Sequence, residues 1–190
     1  MHYYDKLCQK KDKGVHRKRC TYWLRRDIDA KCQALLELKS QGNCSASDVA
    51  AKERELARLY VLVGELLRMT KLASNYELAE EHYKQALKIY RRLAALAKRS
   101  GSSNEVIYFG NSICILHTNL GNLYSLWRNK EGRALEAFED ALESLRDSMS
   151  AHMSTPDRQE TLAGILAAQG EVHTQQYRKH QGHEPDKRKC

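Results

Sequence analysis

Cysteine is the residue type whose spacing could most readily do chemistry in this chain. The chain holds six cysteines, the first four of which fall every twelve residues: Cys8, Cys20, Cys32, Cys44, Cys114 and Cys190. Structural zinc sites usually pair their ligands two to four residues apart, and the sequence has no CxxC or HxxxH pair. A looser site built on Cys8, His16, Cys20 and one later Cys is one alternative. The spacing favours free thiols in a reducing compartment, with no bound metal.

The residue arrangements that carry enzymatic catalysis are missing from the sequence. His82 follows Glu80 and Glu81, but adjacent residues on a helix point apart, and the spacing is not that of a metalloprotease. There is no nucleophile turn of the type that serine hydrolases use, and no Gly-rich phosphate loop. We therefore expect a protein that is not an enzyme and that has no catalytic residues and no cofactor.

The periodicity of apolar residues predicts an all-α fold. Helix-forming residues are common, only 2 Pro and 10 Gly interrupt the chain, and no segment alternates apolar and polar residues as a strand would. Helical spacing predicts six helices, near residues 21–40, 48–70, 75–98, 104–128, 133–149 and 156–179. The short breaks between them imply antiparallel neighbours. No segment approaches the ~20 apolar residues of a membrane span, so we expect a soluble protein.

Positive charge is concentrated at the two ends of the chain. The net charge is +8, yet residues 1–26 alone hold nine Lys or Arg against two Asp. The pattern predicts a basic disordered arm over residues 1–20, an N-terminal helix over 21–44, a helical domain over 45–180 and a charged tail over 181–190. The cations assigned to the arm are Lys10, Lys11, Lys13, Arg17, Lys18 and Arg19. Beside Tyr22 and Trp23 they combine phosphate-neutralising charge with stacking rings, so nucleic-acid binding is one alternative function.

Two segments carry the packing pattern of a helical repeat. In residues 60–86 the pattern positions are Val63, Gly64, Leu67, Ala79, Tyr83 and Ala86; in residues 117–141 they are Leu120, Gly121, Tyr124, Ala134, Phe138 and Ala141. This resembles the tetratricopeptide repeat, in which small residues let two helices approach and an aromatic ring fills the space between them. Gly64 and Gly121 are 57 residues apart, whereas the family period is about 34, so the repeats are divergent and elongated. A plain helical bundle is the alternative.

The resemblance, which covers residues 50–175, implies a TPR-like right-handed solenoid of stacked antiparallel helical hairpins. A C-terminal capping helix with Leu166, Gly170 and His173 would close the stack and expose a polar side. The family's concave groove holds a peptide or helix of a partner protein. Carried over residue by residue, its lining is Arg58, Val61, Glu65, Arg68, Met69, Ile115, Thr118, Asn119, Asn122, Ser125, Leu126, Ala167, Glu171 and Thr174.

Asn119 and Asn122 are the preferred contacts in this groove. An Asn amide can hydrogen-bond both the N–H and the C=O of an extended peptide, although solvated residues on a helix face would look the same in the sequence. We therefore expect a protein–protein interaction adaptor or scaffold in the cytoplasm. The nucleus is the alternative location if the basic arm is an import signal.

Overall fold

A computed structural model of the chain describes residues 13–40, 45–147 and 156–181. These residues form six α-helices: α1 Lys13–Ser40, α2 Ala46–Met69, α3 Tyr76–Ser100, α4 Ser103–Leu126, α5 Glu131–Asp147 and α6 Pro156–Gln181. A short 3₁₀ helix, Ala73–Asn75, precedes α3. The described residues contain no strand, which confirms the all-α prediction.

Helices α2 to α6 begin and end within two residues of their predicted limits, because local signals mark their ends. Ser45 caps the start of α2, where its Oγ accepts the N–H of Asp48 at 3.1 Å. Gly101 follows α3 with a φ of 72°, a left-handed conformation that glycine adopts without a Cβ clash.

Helix α1 is longer than predicted. It begins at Lys13, so the segment from Lys13 to Cys20 is helical where the sequence pattern predicted a disordered arm. Lys and Arg are good helix formers, and a single glycine such as Gly14 costs a helix only about 1 kcal/mol. The helix-forming residues therefore allow α1 to extend beyond the apolar residues that set its predicted limits. Lys10, Lys11 and residues 182–190 of the predicted tail lie outside the described residues.

The chain divides into two compact units, Met1–Gly101 and Ser102–Cys190. In the first unit α2 packs against α1 and α3, and α2 with α3 forms the first hairpin. In the second unit α5 packs against α4 and α6, and α4 with α5 forms the second hairpin. The predicted solenoid concerns the relation between the units and stays a prediction.

In each hairpin, a glycine on the first helix packs against an aromatic ring on the second helix. A Cβ built on Gly64 would lie 2.6 Å from Cε1 of Tyr83, and one on Gly121 would lie 2.5 Å from Cε1 of Phe138. Each ring is fully buried, and so are the alanines four residues before it and three after it: Ala79, Ala86, Ala134 and Ala141. Burying such a ring contributes about 2–3 kcal/mol. This packing brings the glycine of each sequence segment against the aromatic residue of the same segment.

Candidate functional site

The predicted groove residues lie on three helices in two units. Arg58, Glu65 and Arg68 lie on α2 in the first unit. Helix α4 in the second unit carries six of them: Ile115, Thr118, Asn119, Asn122, Ser125 and Leu126. Glu171 lies on α6, also in the second unit. The candidate site is therefore built separately within each unit.

On α2, Glu65 and Arg68 belong to a polar network inside the first hairpin. Arg68 donates from Nη2 to Oε2 of Glu65 at 2.7 Å, and Tyr83 Oη donates to Oε1 of the same carboxylate at 2.9 Å. Burial raises the pKa of Tyr83, and the nearby charge of Glu65 raises it further, so the phenol stays a donor. The network ties α2 to α3, a structural role that the sequence did not indicate. Arg58, by contrast, is exposed.

Helix α4 has one face packed in the second hairpin and another face left open. Leu120 and Tyr124 are no more than 5% exposed on the packed side, whereas Ile115 is 53% and Leu126 44% exposed on the other. The open side, named the α4 face below, consists of Tyr108, Ile115, Thr118, Asn119, Asn122, Ser125 and Leu126. Their spacing of three and four residues places them along one side of the helix.

The polar groups of the α4 face differ in what they can still bind. Thr118 Oγ1 donates to the carbonyl of Cys114 at 3.0 Å, and Ser125 Oγ donates to the carbonyl of Asn122 at 2.9 Å. Both hydroxyl hydrogens are thus used within the helix. Among the described residues, the side-chain amides of Asn119 and Asn122 have no hydrogen-bond partner. Because each amide is both donor and acceptor, these two groups are available to a ligand.

Glu171 stands apart from this face. It is exposed on α6, and no hydrogen bond or ion pair among the described residues joins it to α4. An ion pair between Lys179 and Glu131 links α6 to α5 instead. The predicted groove residues are thus divided between α2, α4 and α6, and those on α4 share one side of that helix.

Two buried polar contacts were not predicted. His117 is 4% exposed, and its Nδ1 lies 3.3 Å from Oδ2 of Asp140 on α5. Glu53 is 3% exposed and forms an ion pair with Arg92 across the first hairpin. In both pairs the partners are more than twenty residues apart in the chain, so the sequence carries no local signal for the contact. Both contacts join the two helices of a hairpin.

Helix α1 exposes two aromatic rings. Tyr22 is 58% and Trp23 53% exposed, with ring centroids 5.8 Å apart in an edge-on arrangement. The Arg26 guanidinium lies 5.6 Å from the Trp23 centroid, a cation–π distance. Of the predicted arm cations, Lys13, Arg17, Lys18 and Arg19 fall within α1, and the structure does not describe their side chains.

Among the described residues, no group of three or more His, Cys, Asp or Glu could hold a metal, and no helix is long and apolar enough to cross a bilayer. Cys32 and Cys114 are free thiols. Cys32 Sγ lies 3.7 Å from Oη of Tyr60, whose pKa is raised to about 12, mainly by burial. The looser Cys8, His16 and Cys20 site lies outside the described side chains.

Comparison of the chain with protein-family models, curated proteins and solved structures found no match. The likeness to tetratricopeptide repeats therefore depends on the residues of the two hairpins. The function is therefore inferred from the geometry of the α4 face.

Proposed function

We propose that the protein is an interaction module that binds a peptide or helix of a partner protein on the α4 face. The observation that carries this proposal is the pair of amides on Asn119 and Asn122, half-buried between exposed Ile115 and Leu126. Exposed apolar side chains supply the contact area of protein interfaces, and polar groups between them fix the orientation of the bound segment.

The side of α4 opposite the α4 face is held in place by contacts with α5. Gly121 is held against Phe138, and the Tyr124 hydroxyl accepts a hydrogen bond from Nη2 of Arg133 at 2.6 Å. The Arg133 guanidinium also lies 4.2 Å from the Tyr124 ring centroid. A surface fixed before binding avoids part of the ordering cost of association, which favours a recognition role. We further infer that the hairpins are divergent tetratricopeptide repeats, because both use the Gly-to-aromatic packing of that family.

The test has two steps. A photo-crosslinking amino acid replaces Ile115 to capture and identify the partner, and the same amino acid at exposed Glu139 on α5 is the control. The affinity of the identified partner is then measured by calorimetry for the wild type and for the Asn119→Ala/Asn122→Ala variant. We expect the double variant to bind more than tenfold more weakly, a loss of about 1.4 kcal/mol.

A matched pair of exposed residues on α5 provides the affinity control. Glu136→Ala/Glu139→Ala should leave binding within twofold, since both residues lie outside the α4 face. Unchanged affinity in the Asn double variant, or equal crosslinking from both helices, would rule out the α4 face as the binding site.

A second candidate function is single-stranded nucleic-acid binding through α1. The exposed Trp23 ring beside Arg26 favours it, because such rings stack on bases while cations contact phosphates. In a Trp127→Phe background, Trp23 fluorescence reports binding of a 15-nucleotide RNA. We expect quenching whose midpoint shifts steeply with salt and which Tyr22→Ala weakens. A chain that shows no quenching at low salt does not have this activity.

A further inference from the structure

Helix α6 repeats the residue pattern of α4 at a distance of 49 residues. Ile165 and Val172 of α6 correspond to Leu116 and Leu123 of α4, and all four are at most 1% exposed. Gly170 corresponds in the same way to Gly121. The two helices therefore bury the same side and place a glycine at the same point relative to it.

The sides that carry the glycines are occupied differently. In α4, Gly121 is buried against Phe138, and the neighbouring positions His117 and Tyr124 are at most 4% exposed. In α6, the corresponding residues Leu166, Gly170 and His173 are all exposed, and a Cβ built on Gly170 meets no atom within 4 Å. The predicted polar outer side of α6 is thus partly apolar, since Leu162 and Leu166 are 38% and 51% exposed.

The residue after each glycine indicates which aromatic ring fits. Glu65 follows Gly64, and its carboxylate accepts the hydroxyl hydrogen of Tyr83 at 2.9 Å. In the second hairpin Asn122 follows Gly121 and the ring is Phe138, which has no hydroxyl. In α6 an exposed carboxylate, Glu171, follows Gly170. The α6 position therefore resembles that of the first hairpin and fits a tyrosine.

We propose that α6 binds an amphipathic helix of a partner protein through Leu162, Leu166, Gly170, Glu171 and His173, called the α6 face. The helix carries a tyrosine that packs on Gly170 and donates to Glu171. Small residues lie four positions before and three after that tyrosine, as Ala79 and Ala86 do around Tyr83. This surface is separate from the α4 face and does not depend on the function proposed for it.

The chain itself offers no suitable helix for the α6 face. Outside the described ranges its only aromatic residues are Tyr3 and Tyr4, which are followed three positions later by Lys6 and Leu7 instead of a small residue. A second copy could supply Tyr83 or Phe138 only by opening a hairpin in which that ring is fully buried. Residues 1–190 therefore offer no free helix of this kind, and the proposed occupant is a helix of a partner protein.

A synthetic peptide with the sequence of α3, Tyr76–Ser100, is the probe, because it carries the required tyrosine and alanines. Its binding to the full chain is followed by fluorescence anisotropy. We expect saturable binding that Gly170→Leu weakens more than tenfold. Gly164→Leu, on the same helix but on another side, should leave it within twofold. A Cβ at either glycine meets no atom within 4 Å, so both variants should fold, which circular dichroism checks.

The tyrosine hydroxyl is tested separately. A peptide with Tyr83→Phe should bind several-fold more weakly to the wild-type chain, and Glu171→Gln should remove most of that difference. Binding unaffected by Gly170→Leu would overturn the proposal, since the peptide would then bind elsewhere, for example in place of α3. So would absence of binding, or a wild-type dimer in sedimentation that Gly170→Leu converts to monomer.

Discussion

Replacing Gly121 by alanine tests the packing on which the second unit depends. The new Cβ would lie 2.5, 2.7 and 2.8 Å from three carbon atoms of the Phe138 ring, whereas carbon atoms in contact stay about 3.5–4.0 Å apart. The ring would have to move by about 1 Å, yet it is completely buried. Overpacking of this kind costs about 1–3 kcal/mol.

The cost of the overlap must be separated from the gain in helix propensity, which acts in the opposite direction. Alanine is favoured over glycine within a helix by about 1 kcal/mol, so Gly121→Ala alone should lose only about 0–2 kcal/mol. Gly170→Ala receives the same helix gain without an overlap, because no atom lies within 4 Å of its Cβ. The difference between the two variants therefore isolates the overlap, and we expect it to be about 1–3 kcal/mol.

The assay is urea unfolding of the full chain, followed by circular dichroism at 222 nm. Phe138→Leu in the Gly121→Ala background provides a further check, because a smaller side chain should relieve part of the overlap and give a favourable coupling energy. If Gly121→Ala and Gly170→Ala are equally stable and the coupling is zero, the close approach of α4 and α5 is wrong.

Three further predictions concern contacts between helices. Arg92→Met should cost about 2–4 kcal/mol in urea unfolding, because it leaves the Glu53 carboxylate buried without its cation; adding Glu53→Leu should restore part of the loss. Lys179 holds the pKa of Glu131 below its usual value of 4.5 through a hydrogen bond, so this pair stabilises the fold above that pH and the contribution disappears as pH falls below it. Lys179→Met should therefore lose at most about 1 kcal/mol at pH 7 and less than that at pH 3. The pKa of Tyr60 is about 12, above the unfolded value of 10, so stability should fall from pH 10 to 12, and less in Tyr60→Phe.

Each of these predictions has an outcome that contradicts it. An Arg92→Met chain as stable as the wild type would mean that Glu53 is solvated. A Lys179→Met effect of the same size at pH 3 and pH 7 would show that packing, and not charge, links Lys179 to Glu131. Equal alkaline destabilisation with and without the Tyr60 hydroxyl would assign the loss to other groups.

The residues of the candidate site were expected from the resemblance to the tetratricopeptide repeat, whereas their polar connections were not. The resemblance placed Asn119 and Asn122 in the groove, and in the structure both are half-buried on α4. It gave Glu65 and Arg68 an equivalent position on α2, where Glu65 accepts a hydrogen bond from Tyr83 and Arg68 donates one to Glu65. A side chain's register on its own helix is a local property, but its partners on another helix depend on distance and rotation.

By itself the sequence determined the helices and most of their ends. Caps and turns such as Ser45 and Gly101 mark those ends, because they act through neighbouring backbone atoms. Only the tertiary structure decided that Leu162 and Leu166, on the same side of α6 as Gly170, are exposed on a side that was predicted to be polar. Whether a face is covered depends on a second helix and the space it fills, which no spacing of residues within one helix contains.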